Sequence, residues 1–175
     1  MTRILLPPKY RWGTPDYMIP RLEGLFGVRF DIDICADEGW AKLPNYISDA
    51  LGPGRWNKGG AKDGFENPPY GNKNQAYNFP GVGAFIHRTI DEVFKYKSLK
   101  TTTLLLPNST DTEWFDALMA VPVLNRSIVF GTGRIPFINA ETGKPDNNSN
   151  VRSMAVHLSN EPVARAAIRV ANFKP

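Results

Sequence analysis

Cysteine is almost absent: Cys35 is the only one in 175 residues. No internal disulfide or cysteine-built zinc site can therefore form within the chain, and a reducing compartment suits it. Histidine is scarce too, and His87 and His157 stand too far apart for metal-ligand spacing, so no metal is expected. No apolar run approaches the roughly 18 residues of a membrane span. Met1–Tyr10 is short and interrupted by Pro7 and Pro8, which does not read as a signal peptide; a cytoplasmic protein is the expectation. Charge of neither sign dominates, and a net charge of +4 admits a polyanionic partner without demanding one. A P-loop is missing, Ser109 and Ser153 have no evident histidine partner, and the carboxylates do not pair as in a glycosidase. A glycine-rich cofactor loop is missing as well. Phe130-Gly131-Thr132-Gly133 has the glycines, but Arg134-Ile135-Pro136-Phe137 continues it as extended chain rather than opening a helix whose N–H groups could face a ligand.

Glycine and proline are plentiful, fifteen of each, and the length fits one loop-rich domain over residues 1–175, with 1–13 as an irregular arm. Thr14-Pro15-Asp16 reads as a helix start, with Thr14 as N-cap and Pro15 in the first turn. Met18, Leu22, Leu25 and Phe26 then recur at helical spacing up to Gly27. Residues 28–36 alternate as a strand, placing Asp31 and Asp33 on one face. Asp33, nearer the carboxyl end, is the preferred ligand contact, because open α/β sheets bind ligands there. Residues 47–51 read as a short strand and turn in which Asp49 could meet an amino group, and 64–66 as the strand leading into Asn67. Residues 71–78 form a polar loop, 83–97 an amphipathic helix, and 102–106 a buried central strand. A helix after Thr112, strands over 127–130 and 154–158, and a last helix over 162–171 complete an α/β sandwich with a mixed sheet.

Phe65-Glu66-Asn67-Pro68-Pro69-Tyr70-Gly71 holds the chemistry. The prolines impose a stiff, non-helical backbone. An exocyclic amine could then donate its two hydrogens to the Asn67 side-chain oxygen and the Pro68 carbonyl while Tyr70 stacks on its ring. A planar amino-heterocycle such as adenine fits. An ordinary strand-ending turn is the plain alternative.

Asn67-Pro68-Pro69-Tyr70 is the signature tetrapeptide of amino-methyltransferases, and other segments follow in order. They are Trp12-Gly13-Thr14-Pro15, Phe30-Asp31-Ile32-Asp33-Ile34-Cys35-Ala36, Trp56, Leu104-Leu105-Leu106-Pro107, Thr112-Glu113-Trp114-Phe115, Gly131-Thr132-Gly133-Arg134-Ile135-Pro136-Phe137 and Ser153-Met154-Ala155-Val156. Together, over residues 12–158, they resemble the phage-type DNA N-6-adenine-methyltransferase family. The resemblance implies a compact class I methyltransferase-like (Rossmann-like) three-layer sandwich with a mostly parallel sheet. It further implies S-adenosyl-L-methionine as cofactor, double-stranded DNA with an adenine target as partner, and a phage or prophage gene product working in a bacterial cytoplasm. Asn67, Pro68, Pro69 and Tyr70 would be catalytic. Trp12, Thr14, Pro15, Asp33, Ala36 and Asp49 would hold the cofactor. Lys73, Arg134 and Asn150 would meet DNA, with Arg88 and Arg126 as further phosphate candidates. Protein glutamine methylation, or a DNA-binding module that has lost catalysis, are the competing readings.

Overall fold

The computed structural model describes residues 12–146, 152–164 and 167–174; the arm up to residue 11 and Asn150 lie outside them. In chain order the elements are β1 (Trp12–Gly13), α1 (Met18–Phe26), β2 (Ile32–Ile34), β3 (Tyr46–Ile47), β4 (Asp63–Glu66), α2 (Val82–Ile90), β5 (Thr101–Pro107), α3 (Glu113–Ala120), β6 (Arg126–Thr132), β7 (Ile138–Asn139), β8 (Ser153–Ser159) and β9 (Ile168–Asn172). Seven strands form one sheet in the order β3-β2-β4-β5-β8-β6-β9, and β1 pairs with β7 apart from it. Only β8 runs against the others in the seven-stranded sheet; every other neighbouring pair is parallel.

Alternation along the central strands divides the core in two. Leu105, Val129 and Ala155 face α1 with Met18, Leu22 and Phe65, whereas Leu104, Leu106, Ile128 and Val156 face α2 and α3 with Ile86 and Leu118. The result is a three-layer α/β/α sandwich, as expected for the fold class. β5 is buried along six consecutive residues, which is why it reads as an unbroken apolar run.

Several boundaries differ from the sequence reading. Helix α1 begins at Met18, not beside Thr14, because the Thr14 hydroxyl is engaged elsewhere and the Pro15 carbonyl accepts the first turn from the Met18 N–H at 3.0 Å. Its end is as read: Gly27 adopts φ +69° and donates to the Glu23 carbonyl. The strand expected over 28–36 shortens to three residues. Buried Glu23 accepts from the Phe30 N–H at 2.9 Å and holds the approach out of the sheet, and Cys35, at φ +69°, turns the chain away after Ile34. Helix α2 stops at Ile90 and continues to Lys95 as a wider π-helical turn.

The last helix is not there. Residues 168–172 are an edge strand parallel to β6, and the spacing taken as helical is a period of two. Arg169 lies over the Phe26 ring and donates to the Leu25 carbonyl, Ala171 packs on the α1 side, and Phe173 is fully buried there. Ile168 and Val170 alternate outward, about 70% exposed, so they do not contribute to packing as the helical reading required. β-branched residues at alternate positions suit an extended backbone.

Candidate active site

β2 and β4 are parallel neighbours, with Asp33 in register with Phe65, so their carboxyl ends deliver Asp33, Cys35 and Asn67 to one place. A pocket opens there. Its walls include Trp12, Thr14, Asp33, Ala36, Asp49 and the whole Asn67-Pro68-Pro69-Tyr70 segment. Segments more than fifty residues apart in sequence thus meet around one cavity. Pro15 is the exception among the expected pocket residues: it is buried behind the wall, where its carbonyl begins α1.

Asn67 is held in one orientation. Its Nδ2 donates to the Trp12 carbonyl at 3.3 Å and to Thr14 Oγ1 at 3.1 Å. A carbonyl can only accept, so the amide nitrogen must face β1, and Oδ1 is left to accept from a ligand. Tyr70 is fixed just as firmly: its hydroxyl donates to the Leu105 carbonyl at 3.0 Å, and its ring meets Phe137 edge to face. Burial pushes the Tyr70 hydroxyl pKa upward, so it remains a neutral donor.

Asp33 is buried, and its Oδ2 accepts from the Lys42 backbone N–H at 2.7 Å. Burial raises its pKa to about 6 against the opposing effects of that hydrogen bond and the Lys42 charge. Lys42 is itself paired with Asp16 at 2.8 Å. Asp31, which shares the expected strand face, has a structural task instead, accepting from the N–H groups of Lys62 and Asp63 at the start of β4.

Trp40, Cys35 and Phe85 also line the pocket and were not read as site residues. Trp40 packs so closely on β1 that a Cβ on Gly13 would lie 2.8 Å from its ring; a tryptophan in a polar, glycine-rich stretch was the only sequence signal. Lys73 and Arg134 are exposed and stand outside the pocket wall. Arg88 pairs with Glu92 at 2.6 Å and donates to the Gly54 carbonyl, and Arg126 donates to the carbonyls of Met119 and Val121. Both are therefore engaged within the fold. Phe130–Gly133 ends β6 and opens no helix.

A sequence profile described as DNA N-6-adenine-methyltransferase (Dam) matches residues 2–172. The chain belongs to this family. A relative, the DNA N-6-adenine-methyltransferase of Haemophilus phage HP1 (strain HP1c1), is 32% identical over 147 residues, covering 83% of this chain and 76% of the relative. Among the described residues no group of histidine, cysteine and carboxylate side chains could hold a metal ion, and no helix is long and apolar enough to cross a membrane.

Proposed function

We propose that this Dam-family enzyme moves the methyl group of S-adenosylmethionine to N6 of an adenine in double-stranded DNA, the base being swung out of the helix onto the Asn67-Pro68-Pro69-Tyr70 segment. The observation that carries the reading is the locked Asn67 amide, whose oxygen is the one polar atom of that side chain left for a substrate amine.

The pocket's donor set fits the cofactor. Asp33 has one carboxylate oxygen taken by the Lys42 N–H and one left for hydroxyl or ammonium hydrogens. Asp49 adds a second carboxylate on the wall, and the lining lysine is neutralised by Asp16. Such a cavity favours a ligand bearing sugar hydroxyls and positive charge. Bound there, the cofactor supplies a methyl group on a cationic sulfur that departs as a neutral thioether. Trp12, Thr14, Asp33, Ala36 and Asp49 would hold it.

Tyr70 offers a ring face for stacking, worth about 1–3 kcal/mol per base, which offsets part of the few kcal/mol of unstacking. Asn67 Oδ1 and the Pro68 carbonyl accept the two N6 hydrogens. Their pull takes the nitrogen lone pair out of ring conjugation and aims it at the methyl carbon, so the N–C bond forms as the C–S bond breaks. The surplus proton on N6 leaves to water past the same oxygens. Most of the acceleration is positional, which is why the two prolines and the β1 clamp matter. Lys73, Arg134 and Asn150 are the residues offered to the DNA backbone.

Labelled methyl from S-adenosylmethionine should pass to unmethylated duplex DNA and not to a glutamine-containing protein substrate; the reverse outcome would replace this reading with amide methylation. Two further results are expected. Cofactor affinity should weaken as pH falls through about 6, where Asp33 takes up a proton, approaching about tenfold per pH unit below that point. Titration calorimetry should show this dependence in the wild type and its loss in Asp33→Asn. Thr14→Val, which removes one of two anchors for Asn67 and one polar group of the cofactor pocket, should lower kcat about fivefold, the equivalent of roughly 1 kcal/mol for one hydrogen bond, and raise cofactor KM as well.

A further inference from the structure

Glu66 immediately precedes Asn67, is completely buried, and has no task in the chemistry above. Its Oε2 and the Thr89 hydroxyl of α2 share a 2.6 Å hydrogen bond, and the Cys35 thiol donates to Oε1 at 3.4 Å. No described cation pairs with it; Arg55 and Arg88 both pair with Glu92. The Thr89 hydroxyl also lies 2.9 Å from the Phe85 carbonyl. That carbonyl has no hydrogen to give, and Thr89 has one. When Thr89 serves Phe85, the hydrogen between Thr89 and Glu66 must come from Glu66, so the geometry is fully satisfied by an uncharged carboxylic acid. The groups tethered in this way are walls of the pocket: Cys35, in its left-handed conformation at the end of β2, and Phe85, one turn before Thr89 on α2.

We propose that Glu66, as a neutral acid, is a positioning residue that ties the Cys35 wall and the Phe85 wall of the cofactor pocket to the strand carrying Asn67, and so sets the spacing between methyl donor and target amine. The proposal rests on the site reading above. Desolvation, reinforced by the Asp33 charge, raises the Glu66 pKa to about 8, against the lowering effect of the Cys35 hydrogen bond. The titratable groups acting on it are Asp33 of β2 and Cys35 just past its end. α2 presents Thr89, and β5 pairs through Leu104; neither titrates. Burial keeps the Cys35 thiol protonated as well. Above about pH 8 Glu66 acquires a charge with no cation to receive it, and the hydrogen bond it gave is lost.

The test compares wild type, Glu66→Gln, Glu66→Ala and Thr89→Val for cofactor affinity, KM, kcat and thermal midpoint across the alkaline range. Wild-type kcat should decline as pH passes about 8. Glu66→Ala and Thr89→Val should lower kcat by about tenfold or more, the scale on which small misplacements act, with raised cofactor KM. Glu66→Gln keeps one donor and one acceptor, so it should recover most of what alanine loses and show no alkaline decline. Thr89→Val preserves volume and serves as the folded control should Glu66→Ala unfold. Full activity in Thr89→Val, or a glutamine variant as impaired as alanine, would overturn the positioning role while leaving the site reading intact. Failure of the wild type to bind S-adenosylmethionine would overturn the site reading, and this inference with it.

Discussion

Asn67→Ala is expected to reduce methyl transfer to DNA by about a hundredfold or more, the usual cost of losing one preorganised polar group at a reacting centre. The loss should fall on kcat, with cofactor KM nearly unchanged, because the interaction strengthens as N6 becomes positive and is weak in the ground state. The fold should survive: Asn67 is only partly buried, and the anchors it leaves, the Trp12 carbonyl and the Thr14 hydroxyl, belong to residues of the pocket wall. Single-turnover methylation beside a thermal melt separates the two effects. An alanine variant that transfers methyl at the wild-type rate would remove Asn67 from the chemistry.

Gly131→Ala is expected to cost stability instead, by about 3 kcal/mol, the upper part of the range for overpacking a filled core. A Cβ at Gly131 would lie 2.3 Å from Phe173 Cδ2 and 2.8 Å from the Ser153 carbonyl oxygen. Neither neighbour can retreat easily, since Phe173 is fully buried and Ser153 is paired within β8. Denaturant unfolding should show a lowered midpoint with the slope unchanged. Cofactor affinity of the folded fraction should match wild type, because Gly131 lies against Phe173 and neither it nor Gly133 lines the pocket. A variant of normal stability with lost cofactor binding would restore Phe130–Gly133 as a cofactor loop.

Local structure was legible where it stands in one stretch of chain. The proline pair beside Asn67 announced a stiff, non-helical segment at a strand end, and the run Leu104-Leu105-Leu106 announced a strand buried on both faces. The extent of β9 was not legible, because Val163, Ala167, Ile168 and Val170 fit a helical spacing, whereas only Ile168 and Val170 among them fit the alternation the strand shows. What decides between them is Phe173 in the α1-side core and Arg169 on Leu25, contacts that span most of the chain. The same holds for the site. Asp33 could be singled out as an acid at a strand end, but the role of Trp12-Gly13-Thr14 as a clamp on Asn67, and that of Trp40 as a wall, exist only once residues far apart in sequence have been brought together. Glu66 was visible only as the residue before the motif; its neutrality follows from partners on β2 and α2. Thr14 shows the limit of a local reading: the hydroxyl expected to cap a helix accepts from the Asn67 amide instead, and the helix starts at Met18.

The most direct test is nucleoside analysis of unmethylated duplex DNA after incubation with the wild-type enzyme and S-adenosylmethionine carrying a labelled methyl group. The account predicts the label in N6-methyladenine, with none in cytosine. Label in another nucleoside, or cofactor and DNA both bound with no methylated base formed, would contradict it.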